Sequence, residues 1–334
     1  MKKAAFFEKK EKKKVQCNLC PHYCIIENED YGKCLVRKNK NGTLYSENYK
    51  QLCSVSIDPI EKKPLYHFYP GKNILSIGSV GCNLKCKFCQ NYHISQSGVK
   101  DFSLLQSYTS DEVVDIALQQ TSNIGIAYTY NEPVIWYEYV LETAKKTHKR
   151  GLKNVLVSNG FINPKPLKLL LPYFDAFSID LKGFAESFYQ DFTSSRLKPV
   201  LNTLKLIIES GKHLEITNLI VTRINDDENN FREMTQWIAK KCGENTVLHI
   251  SRYFPMFKIK NLPTPESKLE SLYKIAKENL NFVYLGNIKS NYGQTTICPT
   301  CNQNLISRSG YTTQVKEINN LGQCLQCNTQ IINY

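Results

Sequence analysis

Apolar and polar positions follow one rhythm up to about Gly71 and another after it. Beyond Gly71, short runs rich in β-branched and aromatic residues predict strands over 74–79, 124–130, 155–157, 176–179, 214–221 and 247–250. The longer segments between them read as helices over 111–120, 134–149, from Pro164 onward, 199–209, 231–240 and 264–279. Their ends are marked: Ser110 reads as an N-cap ahead of Asp111 and Glu112, Gly151 closes the second helix, Asn163 precedes Pro164, and Thr264 with Pro265 opens the last. Strands alternating with helices imply parallel pairing through crossover helices. The expected class is therefore α/β, with the sheet closed or half closed into a barrel.

Upstream of Gly71 no such alternation occurs. Pro59, Pro64 and Pro70 forbid a regular helix over 57–71 and predict an extended or turn-rich connector. Residues 1–14 hold seven lysines against Glu8 and Glu11 and read as a solvated basic tail. The organisation expected is a tail (1–14), a cysteine-rich segment with connector (15–70), a barrel (71–290) and a small C-terminal unit (291–334).

Composition narrows the function. Thirteen cysteines, mostly in C-x2-C or C-x3-C groups and with no secretion signal ahead of them, predict metal ligation in a reducing, cytoplasmic setting rather than a disulfide framework. No run approaches the ~18 apolar residues of a membrane span. Lys and Arg exceed Asp and Glu by 43 to 30, a net charge of +13 that reads as solubility more readily than as nucleic-acid binding.

The chemistry concentrates between Gly81 and Asn91, where Cys82, Cys86 and Cys89 are spaced C-x3-C-x2-C. Thiolates are the usual ligands of iron–sulfur cubes, and three of them leave one iron with an open position for a substrate. A fourth cysteine is missing on both sides, since none lies between Cys53 and Cys82 or between Cys89 and Cys242. A zinc knuckle completed by His93, or a buried disulfide, is the plain alternative. Cys17, Cys20, Cys24 and Cys34 suit a closed structural zinc site or a second cluster, the closed site being expected, with unmetallated thiols as the alternative. Cys53 stands apart and reads as a buried thiol. Cys298, Cys301, Cys324 and Cys327 form two C-x2-C knuckles separated by 22 residues, a zinc-ribbon pattern. Polar residues also follow each predicted strand: Asn131 and Glu132, Ser158 and Asn159, Asp180 and Lys182, Thr222 and Arg223, and Arg252. Barrel enzymes assemble their sites from such loops, though a doubly wound sheet would also put ligands at strand ends.

Cys82, Cys86, Phe88 and Cys89 match the C-x3-C-x-aromatic-C signature, and the chain here resembles the radical S-adenosylmethionine (SAM) superfamily. That resemblance implies a partial (β/α)6, TIM-like barrel carrying a [4Fe-4S] cluster and SAM, whose reductive cleavage gives a 5′-deoxyadenosyl radical. It implies that Glu132 holds the SAM amino group, with Tyr130 and Asn131 where relatives carry glycines, and that Phe88 and Ile216 neighbour the adenine. Ser158-Asn159-Gly160 and Asp180-Leu181-Lys182 are similar to segments of pyruvate formate-lyase activating enzymes, where they lie near SAM, a monovalent cation and the substrate backbone. A structural ion pair is the other reading of Asp180 and Lys182. Over nearly the whole chain, from Cys17-x2-Cys20-Pro21-His22-x-Cys24 to the terminal ribbon, the resemblance is to the radical SAM member of the AmmeMemoRadiSam system. The function expected is hydrogen abstraction from an unidentified protein or small-molecule substrate, in the manner of glycyl-radical activases. An electron donor and the other proteins of that system are the expected partners. A modifier of small molecules or nucleotides, or a metal-stabilised binding module without activity, are the rivals.

Overall fold

The computed structural model describes residues 1–332 and 334. One eight-stranded sheet dominates it. In chain order the strands are β1 (Ser54–Pro59), β2 (Asn73–Gly78), β3 (Asn123–Tyr128), β4 (Lys153–Ser158), β5 (Ala176–Asp180), β6 (His213–Ile220), β7 (Val247–Arg252) and β8 (Val283–Gly286). They lie side by side in that order, β2 to β8 parallel and β1 antiparallel along one edge. The crossovers are α1 (Ser110–Gln119), α2 (Tyr137–Lys149), α3 (Pro164–Leu170), α4 (Leu197–Glu209), α5 (Glu228–Cys242) and α6 (Glu266–Lys277). Registers such as Asp180↔Thr217 and Thr217↔His249 bring inward side chains of neighbouring strands level.

The strands are apolar because both faces of a parallel sheet are covered. On β6 the outward set Leu214, Ile216 and Ile220 is buried beneath helices, whereas the inward set His213, Glu215 and Thr217 is polar and serves the barrel interior. The helices begin where side chains can satisfy free amides. Thr109, one residue before the expected cap, accepts from the Glu112 amide while Glu112 reaches back, and Asp227 caps α5, whose first residue Glu228 lies three residues upstream of the expected start. Pro133–Trp136 form a tight 3-10 turn ahead of α2, and Trp136, fully buried, stacks on Tyr139 with ring centroids 5.3 Å apart.

Residues 1–14 are not a solvated tail. Lys2–Lys3 pair with Thr43–Ser46, and Phe7–Lys9 pair with Val15–Cys17. Ala4 is buried between them, the Ala5 amide donates to Glu138, and Phe6 packs edge-on against Tyr137. The lysines project while the alternate apolar residues anchor the segment. The connector is also more ordered than expected, because its first residues are β1 of the main sheet. Pro59 is accommodated as the last residue of an edge strand, where no ladder donor is required of it.

The C-terminal unit is a three-stranded sheet, Thr296–Ile297, Asn304–Ser309 and Thr312–Val315. It shares an apolar cluster with Tyr66 of the connector and with Val247, Phe282 and Tyr284. No helix among the described residues is long and apolar enough to cross a membrane.

Candidate functional site

The loop after β2 is fixed from every side. Gly81 has φ +89, and a Cβ there would lie 2.5 Å from the Cys34 carbonyl oxygen, so only glycine lets the N-terminal segment approach. The Lys85 and Lys87 amides donate to Thr193 and Phe192 carbonyls at 2.9 Å. Asn83 donates to the Phe161 carbonyl and accepts from Asn159, whose amide nitrogen also lies 3.7 Å from Cys82 Sγ. Phe88 stacks against Phe188. Thus held, Cys82, Cys86 and Cys89 open into one cavity of about 820 Å³ at the C-terminal ends of the strands. Burial pushes the Cys86 thiol up to about 12, partly opposed by the Lys182 charge. His93 does not join the three cysteines in any tight ligand cluster among the described residues.

The loop after β3 turns through Tyr130, a non-glycine residue at φ +73. Its hydroxyl donates to Asp58 at 2.6 Å, and Lys63 Nζ lies 4.8 Å from its ring centroid. Burial works against the Asp58 charge, but hydrogen bonds from Lys62, Lys63 and Tyr130 hold its carboxyl well below the usual range. Asn131 donates to the Gly81 carbonyl, tying this loop to the cysteine loop, while its Oδ1 is buried without a partner. Thr217 Oγ1 is a second such atom, and both residues line the cavity.

Glu132 is placed differently from expectation. Its carboxylate is fully enclosed, accepting from the Val134 and Asn159 amides and the Ser158 hydroxyl, and it does not line the cavity. It braces the β3 loop to the β4 loop and leaves Asn131 facing the cavity. Burial raises its carboxyl to about 7 despite those three donors. Ser158 and Asn159 do line the cavity, as do Asp180 and Lys182, which form a 2.8 Å ion pair. Burial opposes the Lys182 charge, but Asp180 and then Cys86 hold its ammonium firmly protonated.

Ile216 faces outward, away from the cavity that Phe88 lines. Arg252 is committed to the start of α6, donating to the Thr264 carbonyl and to Glu266 at 2.8 Å. Thr222, Arg223 and Arg252 stand outside the lining; β6 and β7 contribute Thr217, Leu219, His249 and Ser251 instead. The signal for those four was strand alternation, with inward residues one or two turns of the pleat below the strand end.

Residues 76–238 match a family model described as the Radical SAM superfamily. An uncharacterized protein of Methanocaldococcus jannaschii is 40% identical over 96% of this chain and 94% of its own length. This chain belongs to the radical SAM superfamily. A second protein of that organism, which carries the provisional name of a glycyl-radical enzyme activating enzyme, is 23% identical over 67% of this radical SAM chain and 93% of its own. Among solved structures, Streptococcus suis SuiB bound to S-adenosylmethionine shares the fold, with a TM-score of 0.51 and 14% identity over 68% of this chain and 53% of its own. Membership implies a [4Fe-4S] cluster and SAM. The residues present fit them: three thiols open into one cavity, with unpartnered buried acceptors at Asn131 and Thr217 within the same walls.

Of the other cysteines in this radical SAM protein, the sulfurs of Cys298, Cys301, Cys324 and Cys327 all lie within 4.8 Å of one another. Cys298 and Cys327 are 3.4 Å apart and Cys301 and Cys324 3.6 Å, close to the ~3.8 Å edge of a tetrahedron around one ion with 2.3 Å metal–sulfur bonds. Such a set is able to hold a metal ion of the zinc kind. Cys53 is half-buried, its thiol 3.0 Å from the Ser79 carbonyl.

The ribbon reaches the cavity. Ser309, Gly310 and Tyr311 of its hairpin, together with Glu61 to Pro64 and Tyr66 of the connector, line the side between the β1 and β8 edges of the sheet. Arg308 clamps this wall, donating to the Tyr66 carbonyl at 2.8 Å and lying 4.1 Å from the Tyr66 ring centroid. Below it, Glu215 accepts from the Tyr66 and His67 amides and from His213 and His249. The two histidines hold its carboxyl well below the usual range although burial, the largest influence, pushes the other way.

Proposed function

We infer that this protein cleaves SAM reductively, with Cys82, Cys86 and Cys89 as the cluster ligands, and delivers the resulting radical to a small polar molecule enclosed in the cavity. The observation that carries the first half is the convergence of three thiols and unpartnered acceptors on one cavity. When bound, the cluster supplies the electron that breaks the sulfonium, giving methionine and a 5′-deoxyadenosyl radical that abstracts hydrogen.

The chain's own residues act by position and charge. Asn131 Oδ1 and the neighbouring backbone of Thr129 and Tyr130 offer acceptors to the SAM ammonium, and Asn159 steadies Cys82. Lys182, kept charged by Asp180, lowers the cost of thiolate charge at Cys86 and Cys89 and lines the cavity, where it would offer a cation to a carboxylate of a bound ligand. Phe88 supplies an apolar surface. The zinc-ribbon unit, residues 291–334, shares an apolar cluster with the barrel, and its role is to wall the site.

The wall favours a small substrate over a polypeptide loop. The gap between the edge strands of an open barrel is where a loop from another protein would enter, and here it is occupied by residues 61–66 and 309–311. The likeness to the M. jannaschii activating-enzyme-named protein favours the second reading, installation of a glycyl radical.

Anaerobic reconstitution with iron and sulfide, then SAM and dithionite, is expected to yield 5′-deoxyadenosine, and Cys86→Ala to abolish it. Persistence of cleavage in the variant lacking all three cysteines would overturn the assignment. The low-molecular-weight fraction of a cell extract is expected to stimulate turnover; a protein fraction that instead acquires a glycine-centred radical signal would decide for the second reading. Association with other proteins of the AmmeMemoRadiSam system is tested by anaerobic pulldown.

A further inference from the structure

We propose that Glu61 recognises the substrate, which presents a protonated amine to it at the end of the cavity away from the cysteine loop. The inference rests on the small-substrate reading above and names the chemistry of that substrate. Glu61 is 3% exposed and belongs to the short 3-10 turn Ile60–Lys62 that follows β1. One carboxylate oxygen, Oε1, accepts from the Gly71 amide and from the Thr313 hydroxyl of the ribbon, each at 2.7 Å. Those two bonds hold the group in place. The other oxygen, Oε2, is buried with no hydrogen-bond partner, in a residue that lines the cavity.

A buried carboxylate oxygen without a donor bears the full cost of its lost hydration until a ligand supplies one. The cations of the connector and ribbon are turned elsewhere. Lys62 and Lys63 both pair with Asp58, at 2.7 and 2.6 Å, and Lys63 also faces the Tyr130 ring. Arg308 donates to the Tyr66 and Gln294 carbonyls and lies over the Tyr66 ring. Among the described residues of this wall, Glu61 is the acid left over. An ammonium group matches it in charge and in hydrogen bonding, since the one only donates and the other only accepts. Tyr311, two residues before Thr313 and lining the same wall, adds an aromatic ring beside such a cation.

Strand register sets how far the amine lies from the chemistry. β1 runs antiparallel to β2, with Ser54 opposite Gly78 and Pro59 opposite Asn73. Gly78 leads toward the cysteine loop, whereas Glu61, two residues past Pro59, bonds Gly71 ahead of the start of β2. The six residues of β2 separate these ends by roughly 17 Å, at about 3.3 Å per residue. The substrate is therefore elongated, with its amine remote from the carbon that yields hydrogen.

The test is deoxyadenosine formation by anaerobically reconstituted full-length protein with SAM and dithionite. The probe is the low-molecular-weight fraction of a cell extract, split on a cation-exchange resin at acidic pH, which retains amines whatever acidic groups they also carry. Stimulation is expected in the retained fraction. Glu61→Gln keeps an oxygen for Gly71 and Thr313 and puts a donor in place of Oε2. It is expected to raise the amount needed for half-maximal stimulation by about ten- to a hundredfold at unchanged iron content, the loss of one charged hydrogen bond. Thr313→Val, which removes one bond to Oε1 and keeps the free oxygen, is expected to shift it far less. Stimulation confined to the unretained fraction, an unshifted Glu61→Gln, or an equal shift in Thr313→Val overturns the proposal and leaves the small-substrate reading standing. Stimulation by neither fraction, with a protein fraction active instead, overturns that reading and the proposal with it.

Discussion

Glu132 marks how far a residue's role depends on which way its strand end is turned. The sequence places a carboxylate beyond β3, and the resemblance to relatives assigns it to the SAM ammonium. The fold instead buries it against Val134, Ser158 and Asn159, outside the cavity lining. Proline at position 133 was the available signal, since an acid before a proline-led turn caps that turn. Glu132→Ala is expected to cost about 2–4 kcal/mol by leaving buried donors unpaired, measured by chemical denaturation. Its pH signature has a definite sign. The folded carboxyl titrates near 7 against an ordinary 4.5, so the native state holds the extra proton and stability falls as pH rises between those values. The fall amounts to about 3 kcal/mol, and Glu132→Gln should abolish that part of the profile. Cys82, Cys86 and Cys89 were legible because their spacing is local. Thr217 and His249 were missed although strand alternation sets them on one face, because only the register with neighbouring strands shows that this face borders the cavity.

At the level of elements, the strand and helix succession from β2 to α6 was readable from periodicity, whereas β8, four residues long, was not predicted. The short strands at Lys2–Lys3, Phe7–Lys9 and Ser54–Pro59 were not, since two to six residues with interleaved charge or a proline carry almost no period. The ribbon's knuckles were visible, but its docking was hidden, because Arg308 meets Tyr66 across 242 positions of sequence. His67 secures that docking: Nδ1 donates to the Ile331 carbonyl and Nε2 accepts from the Tyr284 hydroxyl, an arrangement that needs the neutral ring. Burial lowers the His67 pKa from 6.5 to about 3. The unfolded chain therefore takes up a proton first, and stability is lost as pH falls from about 6.5 toward 3. Limited proteolysis of the segment after Tyr284 should accelerate over that range, and His67→Gln should flatten the dependence. Stripping metal from Cys298, Cys301, Cys324 and Cys327 is expected to open the same cleavage sites at neutral pH.

On the scale of the whole molecule, one cavity is walled by parts remote in sequence: the cysteine loop, the strand ends, the connector and the ribbon hairpin. The seven parallel strands supply a rigid floor, while the side between the two sheet edges is closed by segments that contribute no strand at that place. Tyr311→Ala removes a large part of that closure without touching any cysteine. The variant is expected to keep its iron content and its affinity for SAM while deoxyadenosine forms severalfold faster in the absence of substrate; unchanged background turnover would show that the hairpin does not shield the site. The tie between ribbon and cavity then gives the distant thiol quartet a second significance. Thiol oxidation or metal loss at that quartet is expected to loosen the wall that Ser309, Gly310 and Tyr311 form, so that damage at one end of the chain is felt as SAM wasted at the other.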